Sequence, residues 1–426
     1  MLEHIKLERF TAFEQFSLKF SPGLNVFIGE NGCGKTHLLK ILYAACDVTT
    51  SQKSFAEKVN RVFLPSDEQI GRLVKRRSTS STGSIEVART VLVDGQSKTL
   101  AVRLSMSNHT KESAKATLSG AYKQWQEHHL TSVYIPVKDM MANAPGFRSL
   151  YSLRHIHFEE VYADIIDRAF LGTLKGPVDK ERKRLLDILQ QSMEGKVISR
   201  KEEFFLKSPQ GELEFTLLAE GIRKLGLLWI LIQNGTLLDG SVLLWDEPEA
   251  NLNPKLMRTV VQILIELQSL GVQVFITTHN YNLLKEFDLQ LRPQDKVLFH
   301  SLFRNTERNV QVASFASYDQ LQPNAIDDTL GALADREIRH QWGGWANESA
   351  NRWIRIRVSR CARCLRLRRK GQSPAAFPWP VSCDEGCGFG GGVAERHSLY
   401  RGEGLPRARR LQLQLGGDRR RARPTT

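Results

Sequence analysis

The chain has 426 residues, 41% hydrophobic and 25% charged, enough apolar side chain to bury a core in two or three compact units. Its longest unbroken apolar stretch, Leu225 to Ile232, falls far short of the roughly 20 residues that span a bilayer, and Met1-Leu2-Glu3-His4 has no basic, apolar leader. A cytoplasmic protein with no membrane partner is therefore expected. The net charge of +14 taken whole suggests a polyanion partner. The distribution argues otherwise, because 18 of the 60 basic residues and 6 of the 46 acidic ones lie in residues 341–426, leaving only +2 over residues 1–340. The body uses 22 Lys and 20 Arg, whereas the tail has 17 Arg and one Lys. The two parts differ in kind.

Residues 4–28 alternate apolar and polar at Ile5, Leu7, Phe10, Phe16, Leu18 and Phe20, break at Ser21-Pro22-Gly23 and end in the apolar run Leu24–Ile28. This pattern predicts two or three strands, the last of them buried. From Lys35 to Cys46 the apolar positions fall at helical spacing. Residues 50–130 are rich in Ser, Thr and Lys, with a hairpin predicted from Ile85–Val93 and Leu100–Met106 around Asp94-Gly95. A strand at Ser132–Val137, helices near His155–Phe170 and Lys180–Met193, and short strands either side of Pro209-Gln210-Gly211 follow. The remainder alternates regularly: helix Ala219–Gln233, strand Ser241–Trp245, helix Pro254–Leu270, strand Val272–Thr277, helix Tyr281–Phe287, and a strand pair near Lys296–Phe303 and Val310–Phe315. Such alternation implies a parallel sheet covered on both faces.

Three strand ends carry chemistry. Gly29-Glu30-Asn31-Gly32-Cys33-Gly34-Lys35-Thr36 satisfies the phosphate-loop pattern between a buried strand and a helix. Gly32 and Gly34 let backbone N–H groups curl around phosphates, Lys35 neutralises the β and γ oxygens, and the Thr36 hydroxyl suits Mg²⁺. With Gly29, Asn31, Cys33 and His37, these residues are the candidate ATP contacts. At Val242–Glu249 an apolar strand ends in adjacent carboxylates, so Asp246 can hold the Mg²⁺ shell while Glu247 polarises the attacking water. The same pair could instead cap a helix electrostatically. Val274–Asn280 is the third strand end, and His279, 32 residues beyond Glu247, can respond to γ-phosphate charge. A lone histidine there could equally be a capping residue.

Together the phosphate loop GENGCGKT, the acidic strand LLWDEPEANLNP and the ITTHN strand end resemble the ABC-type ATPase heads of the RecF/SMC/Rad50 group. The likeness is nearest to stand-alone bacterial AAA_15/AAA_21 or OLD-like ATPases. It covers about residues 1–340. The resemblance implies an α/β fold: a P-loop NTPase head with a mostly parallel core sheet, N-terminal antiparallel strands and an inserted α+β lobe. It divides the chain into 1–49 and 201–340 as the two parts of the head, 50–200 as the lobe, and 341–426 as the tail. It also implies that a second protomer closes the site, so that ATP clamps a dimer. The segment Leu218–Lys224 is similar to the family's signature, with Ala219 in place of serine. Contact with a partner's γ-phosphate then falls to Glu220, the Gly221 N–H, the helix N-terminus, or Arg223 and Lys224. Glu249–Leu252 occupies the position of the family's dimer-contact loop, and Tyr134–Asp139 that of its lid segment, without the usual glutamine.

The leading functional expectation is an ATP hydrolase whose ATP-dependent dimerisation gates a separate effector such as a nuclease, in anti-phage defence or DNA maintenance. The alternative is an ATP-dependent DNA- or protein-binding module with little turnover. The subunit of a membrane importer fits poorly, since it needs the serine signature. In the tail, Cys361, Cys364, Cys383 and Cys387 have spacing open to a zinc site. The Arg/Gly-rich surroundings are also open to a frameshifted or fused segment, or to a nucleic-acid-binding arm. Deleting residues 341–426 is expected to leave ATP hydrolysis intact, measured as phosphate release. Loss of bound zinc together with activity would contradict that.

Overall fold

The computed structural model describes residues 1–341 except His155. The tail, with its zinc, frameshift and nucleic-acid readings, lies outside the described residues. The apolar alternation at the start of the chain becomes β1 (Leu2–Phe10) and β2 (Phe13–Lys19), an antiparallel pair that buries Ile5, Leu7, Phe13 and Phe16. The fully buried β3 (Leu24–Gly29) leads through the glycine-rich turn into α1 (Lys35–Asp47). A short helix, α2 (Phe55–Phe63), follows, capped by the Ser54 hydroxyl accepting from the Glu57 N–H at 3.1 Å.

The predicted hairpin forms as β4 (Thr82–Val93) and β5 (Gln96–Ser107). Val93 pairs with Gln96, and both turn residues, Asp94 (φ 51°) and Gly95 (φ 76°), are left-handed, as a two-residue turn joining right-twisted strands requires. With β6 (Thr117–Gly120) these strands extend the N-terminal pair into a five-stranded sheet in the order β2-β1-β4-β5-β6. Residues 50–200 are thus woven into more than one layer. After α3 (Tyr122–Glu127), β7 (Ser132–Ile135) joins the central sheet; the helix expected near His155–Phe170 forms as α5 (Glu160–Ala169), and α4 (Phe147–Arg154) precedes it. Next come α6 (Lys180–Met193) and a small antiparallel sheet of β8 (Lys196–Arg200), β9 (Glu203–Ser208) and β10 (Gly211–Glu214).

The regular half supplies α7 (Glu220–Gln233), β11 (Val242–Asp246), α8 (Pro254–Ser269), β12 (Gln273–Thr277), α9 (Tyr281–Gln290), β13 (Val297–Arg304), β14 (Val310–Phe315) and α10 (Ala325–Gln341). The central sheet runs β14-β13-β3-β12-β11-β7, parallel throughout except for the antiparallel edge strand β14. Period-two alternation splits β3 between two cores. Leu24, Val26 and Ile28 pack with residues of α6 to α9, while Phe27 packs with α1 and the N-terminal sheet. None of the described helices is long and apolar enough to cross a membrane.

Composition gave no sign of α2, because what anchors it is a buried cation. Lys58, 1% exposed, places its ammonium 2.7 Å from Asp47 Oδ2, 2.5 Å from Glu160 Oε1 and 2.6 Å from Asp164 Oδ2. Arg168 closes the network on Asp47 Oδ1 at 2.7 Å, and the Tyr43 hydroxyl donates to Asp164 at 2.7 Å. These bonds fasten the C-terminal end of α1 to α2 and α5. Removing one member of a buried ion cluster strands its partners without compensation. Lys58→Ala is expected to destabilise the fold by about 3–5 kcal/mol, read from denaturant unfolding.

Candidate functional site

The glycines of the phosphate loop are demanded by their neighbours as well as by the turn. Gly29 has φ 145°, and a Cβ there would lie 2.2 Å from the Leu302 carbonyl oxygen; at Gly34 (φ 87°) it would lie 2.6 Å from Phe13 Cζ. Any side chain would force the loop off β13 or off the β1–β2 turn. No side chain caps α1, so its first N–H groups face the loop and form an anion-binding end. Lys35, 5% exposed, curls into the loop and donates to the Gly29 and Glu30 carbonyls at 2.9 and 3.1 Å. Burial lowers its pKa, with Cys33 and the carboxylates Glu247, Asp246 and Glu249 pulling the other way. Asn31 and Gly32 are exposed, Cys33 is buried, and Thr36 is half-buried on the first turn of α1. His37 turns aside onto Phe63, with ring centroids 5.3 Å apart. Burial and then Lys40 bring its pKa down to about 4, so the imidazole is neutral near pH 7.

Parallel pairing carries the other two strand ends to the same edge. Asp246 and Thr277 are register partners, and Thr277 in turn pairs with Phe27 of β3. The Thr277 hydroxyl donates to Asp246 Oδ1 at 2.5 Å and accepts the Glu247 N–H at 3.0 Å. Tyr134, at the end of β7, donates to Asp246 Oδ2 at 3.2 Å. Glu247 has φ 48°, an uncommon backbone state for a non-glycine residue, and its Oε1 lies 3.5 Å from His279 Nε2. Burial first and Asp246 second raise the Glu247 pKa, and burial followed by Lys35 lowers that of His279. Both shifts disfavour charge, leaving the imidazole neutral near pH 7. Glu249 Oε1 takes the Thr278 hydroxyl at 2.7 Å and the His279 N–H at 2.9 Å, which ties the acidic strand end to the histidine strand end.

Glu220 and Gly221 open α7, and among the described residues no hydrogen bond or ion pair joins residues 220–224 to the phosphate loop. They are built against the loop after Glu249 instead. Asn251 Nδ2 donates to Glu220 Oε2 at 2.8 Å, and a Cβ on Gly221 would meet Leu252 Cδ1 at 3.1 Å. The sequence left open whether Arg223 and Lys224 could serve a phosphate. Here both turn inward: Arg223 binds Asp139 Oδ2 at 2.5 Å and the Leu218 carbonyl at 2.7 Å, while Lys224, 2% exposed, donates to the Ala250 carbonyl at 2.6 Å. Of that segment, the helix N-terminus is the part left open. Sequence reasoning missed Thr277, although it stands in the ITTHN motif itself. It also missed Arg304, for which no local signal exists: β13 pairing brings its Nη2 to the Gly32 carbonyl at 2.9 Å.

A phosphate loop on the central strand of a parallel sheet, with two acidic residues and a histidine at the adjoining strand ends, is the layout of a P-loop ATPase head. Residues 24–285, well over half of the chain, match the family model described as "AAA domain, putative AbiEii toxin, Type IV TA system". The chain belongs to this family and is an ATPase of the AAA/SMC/RecF class. It is similar to the DNA replication and repair protein RecF of Streptococcus suis (strain 05ZYH33), with 35% identity over 77 residues, 18% of this chain and 21% of that protein. RecF of Listeria welshimeri is 40% identical over 84 residues, again 18% and 21%. The chain thus spans about a fifth of the length of these curated relatives. Among solved structures, an SMC head bound to the C-winged helix domain of ScpA superposes with a TM-score of 0.50 at 13% identity, covering 75% of this chain and 98% of that one, a likeness of fold.

Among the described residues the Thr277 hydroxyl is the one group bonded both to the Asp246 carboxylate and to the Glu247 N–H. Thr277→Val keeps the shape and removes the hydroxyl. It is expected to lower kcat for ATP hydrolysis about tenfold or more and to lower stability by about 1–3 kcal/mol, because the buried Asp246 carboxylate and the Glu247 N–H lose a partner, measured by phosphate release and denaturant unfolding.

Proposed function

We propose that the chain binds ATP·Mg²⁺ at the β3–α1 loop and hydrolyses it with Glu247 as general base, as a dimer in which each protomer closes the other's site. Thr36 and Asp246 offer oxygen donors, the chemistry Mg²⁺ prefers, and would hold the ion; bound there, it would neutralise charge on the β and γ phosphates. Lys35 neutralises the phosphate oxygens from within the loop. Glu247 orients and deprotonates water, and neutral His279, 3.5 Å from the Glu247 carboxylate, would turn its single N–H toward the γ-phosphate. The supporting observation is the convergence of Lys35, Asp246, Glu247 and His279 on one sheet edge, with Thr277 bridging the acidic pair.

Dimerisation is supported by the signature segment. Its helix N-terminus carries no side-chain cap and, among the described residues, no bond to its own phosphate loop, so the α7 dipole and the Gly221 N–H would serve a second copy's nucleotide. In our reading the ATP-bound dimer gates a separate effector, such as a nuclease, in anti-phage defence or DNA maintenance. The family description, which names a putative toxin of a toxin–antitoxin system, and the repair role in the name of the RecF relatives support those two settings. Any DNA contact is local, given the near-neutral body. The alternative, an ATP-dependent binding module with little turnover, makes the opposite prediction for one variant. Glu247→Gln should lower turnover by about 10²–10³-fold and accumulate an ATP-bound dimer by light scattering. Unchanged turnover and mass would favour the passive module.

A further inference from the structure

Strand β13 does more than flank the phosphate loop. Its parallel register with β3 pairs Leu302 with Gly29, so β13 continues two residues past the point where β3 ends and the loop begins. Its last residue, Arg304, therefore stands on the rim of the loop. The guanidinium donates from Nη2 to the Gly32 carbonyl at 2.9 Å, and a Cβ on Gly32 would lie 3.3 Å from the same nitrogen. Arg304 is exposed, and among the described residues no carboxylate pairs with it. By contrast, Lys75 and Arg77 are paired with Glu14, and Arg223 with Asp139. An arginine has five N–H donors in a planar fork suited to phosphate, and among the described residues this one spends a single bond on a neutral carbonyl.

We propose that Arg304 is a phosphate-binding residue of the nucleotide site, contributed from the C-terminal hairpin. This rests on the reading of the β3–α1 loop as the ATP site. Two cations then address the nucleotide from opposite sides, Lys35 from inside the loop and Arg304 from its exposed rim. When a triphosphate enters, the guanidinium exchanges or shares the Gly32 carbonyl for phosphate oxygens, a charge-assisted bond in place of a neutral one. The gain grows with the number of phosphates and weakens with salt, because it is a charge interaction at an exposed position. The same contact couples nucleotide occupancy to β13 and β14, since Arg304 closes the first of these strands.

The test uses the full-length chain with Mg²⁺ and compares wild type with Arg304→Gln, Arg304→Lys and Lys35→Ala. Glutamine can still donate to the Gly32 carbonyl but carries no charge; lysine keeps the charge. Calorimetric affinities for ATP, ADP and AMP are measured at low and high salt, with unfolding midpoints of the nucleotide-free proteins. The expected result is about a tenfold loss of ATP affinity in Arg304→Gln, a smaller loss for ADP and none for AMP. The wild-type salt dependence is flattened in that variant. Arg304→Lys stays within about threefold of wild type, and the midpoints do not move. Wild-type ATP affinity in Arg304→Gln overturns the proposal, as does an equal loss for ATP, ADP and AMP with a lowered midpoint, which means a tie that merely shapes the loop. If the wild-type chain and Lys35→Ala alike fail to bind ATP, the underlying nucleotide reading falls, and this proposal with it. That outcome is distinct from loss confined to the Arg304 result.

Discussion

In the central sheet β12 lies between β3 and β11, and its ladder pairs Thr277 with Asp246 on one side and with Phe27 on the other. That register sets the level at which three chain segments leave the sheet. Because side chains alternate with a period of two, a slip of one residue in either pairing would turn the Thr277 hydroxyl to the opposite face and break its bonds to both Asp246 and Glu247. It would also move His279 away from Glu247. The apolar runs that occupy β3, β11 and β12 hold the register, since they are buried on both faces against two separate cores. The acidic edge is thus positioned by packing that never touches it.

A second constraint is the handling of charge inside the molecule. The near-neutral balance of residues 1–340 conceals several cations that are out of water: Lys35 in the phosphate loop, Lys58 among three carboxylates, and Lys224 on the Ala250 carbonyl. Each is tolerated because oxygen accepts from it; Lys35 closes its own loop, while Lys58 and Lys224 fix junctions between separate elements. Lys58 fastens the end of α1 to α2 and α5, and Lys224 fastens the signature helix to the loop after Glu249. The phosphate-loop helix is held at its C-terminal end by ions and left uncapped at its N-terminal end, where an anion is wanted.

The signature segment and the acidic strand end are linked through short polar contacts as well. Tyr134 reaches Asp246 while Asp139, five residues further on, holds Arg223, so the stretch after β7 touches both the acidic strand end and the signature helix. The family's glutamine is missing from this stretch, yet its position between the two is kept by different side chains. Glu249 plays a similar part between β11 and β12. These contacts tie α7 and the strand ends into one polar network.

Much of this was open to reading from the sequence, because it depends on short-range pattern. Alternation with a period of two marked β1, β2, β4 and β5, helical spacing marked α1, α6, α7 and α8, and GENGCGKT, WDEPE and TTHN marked the strand ends that meet at the edge. The elements missed were those whose stability comes from afar, such as α2, which rests on a buried lysine that composition counts as solvated. Side-chain direction was likewise beyond local pattern. Arg223 and Lys224 point inward because Asp139 and Ala250 are brought beside α7, and Arg304 meets Gly32 because β13 happens to outrun β3 by two residues. The sequence by itself determined which residues carry phosphate chemistry, since a phosphate loop and a strand-end carboxylate are written within a few consecutive positions. Only the tertiary structure decided which of them meet and which cations remain free, because that depends on strand register and on partners 26 to 272 residues away.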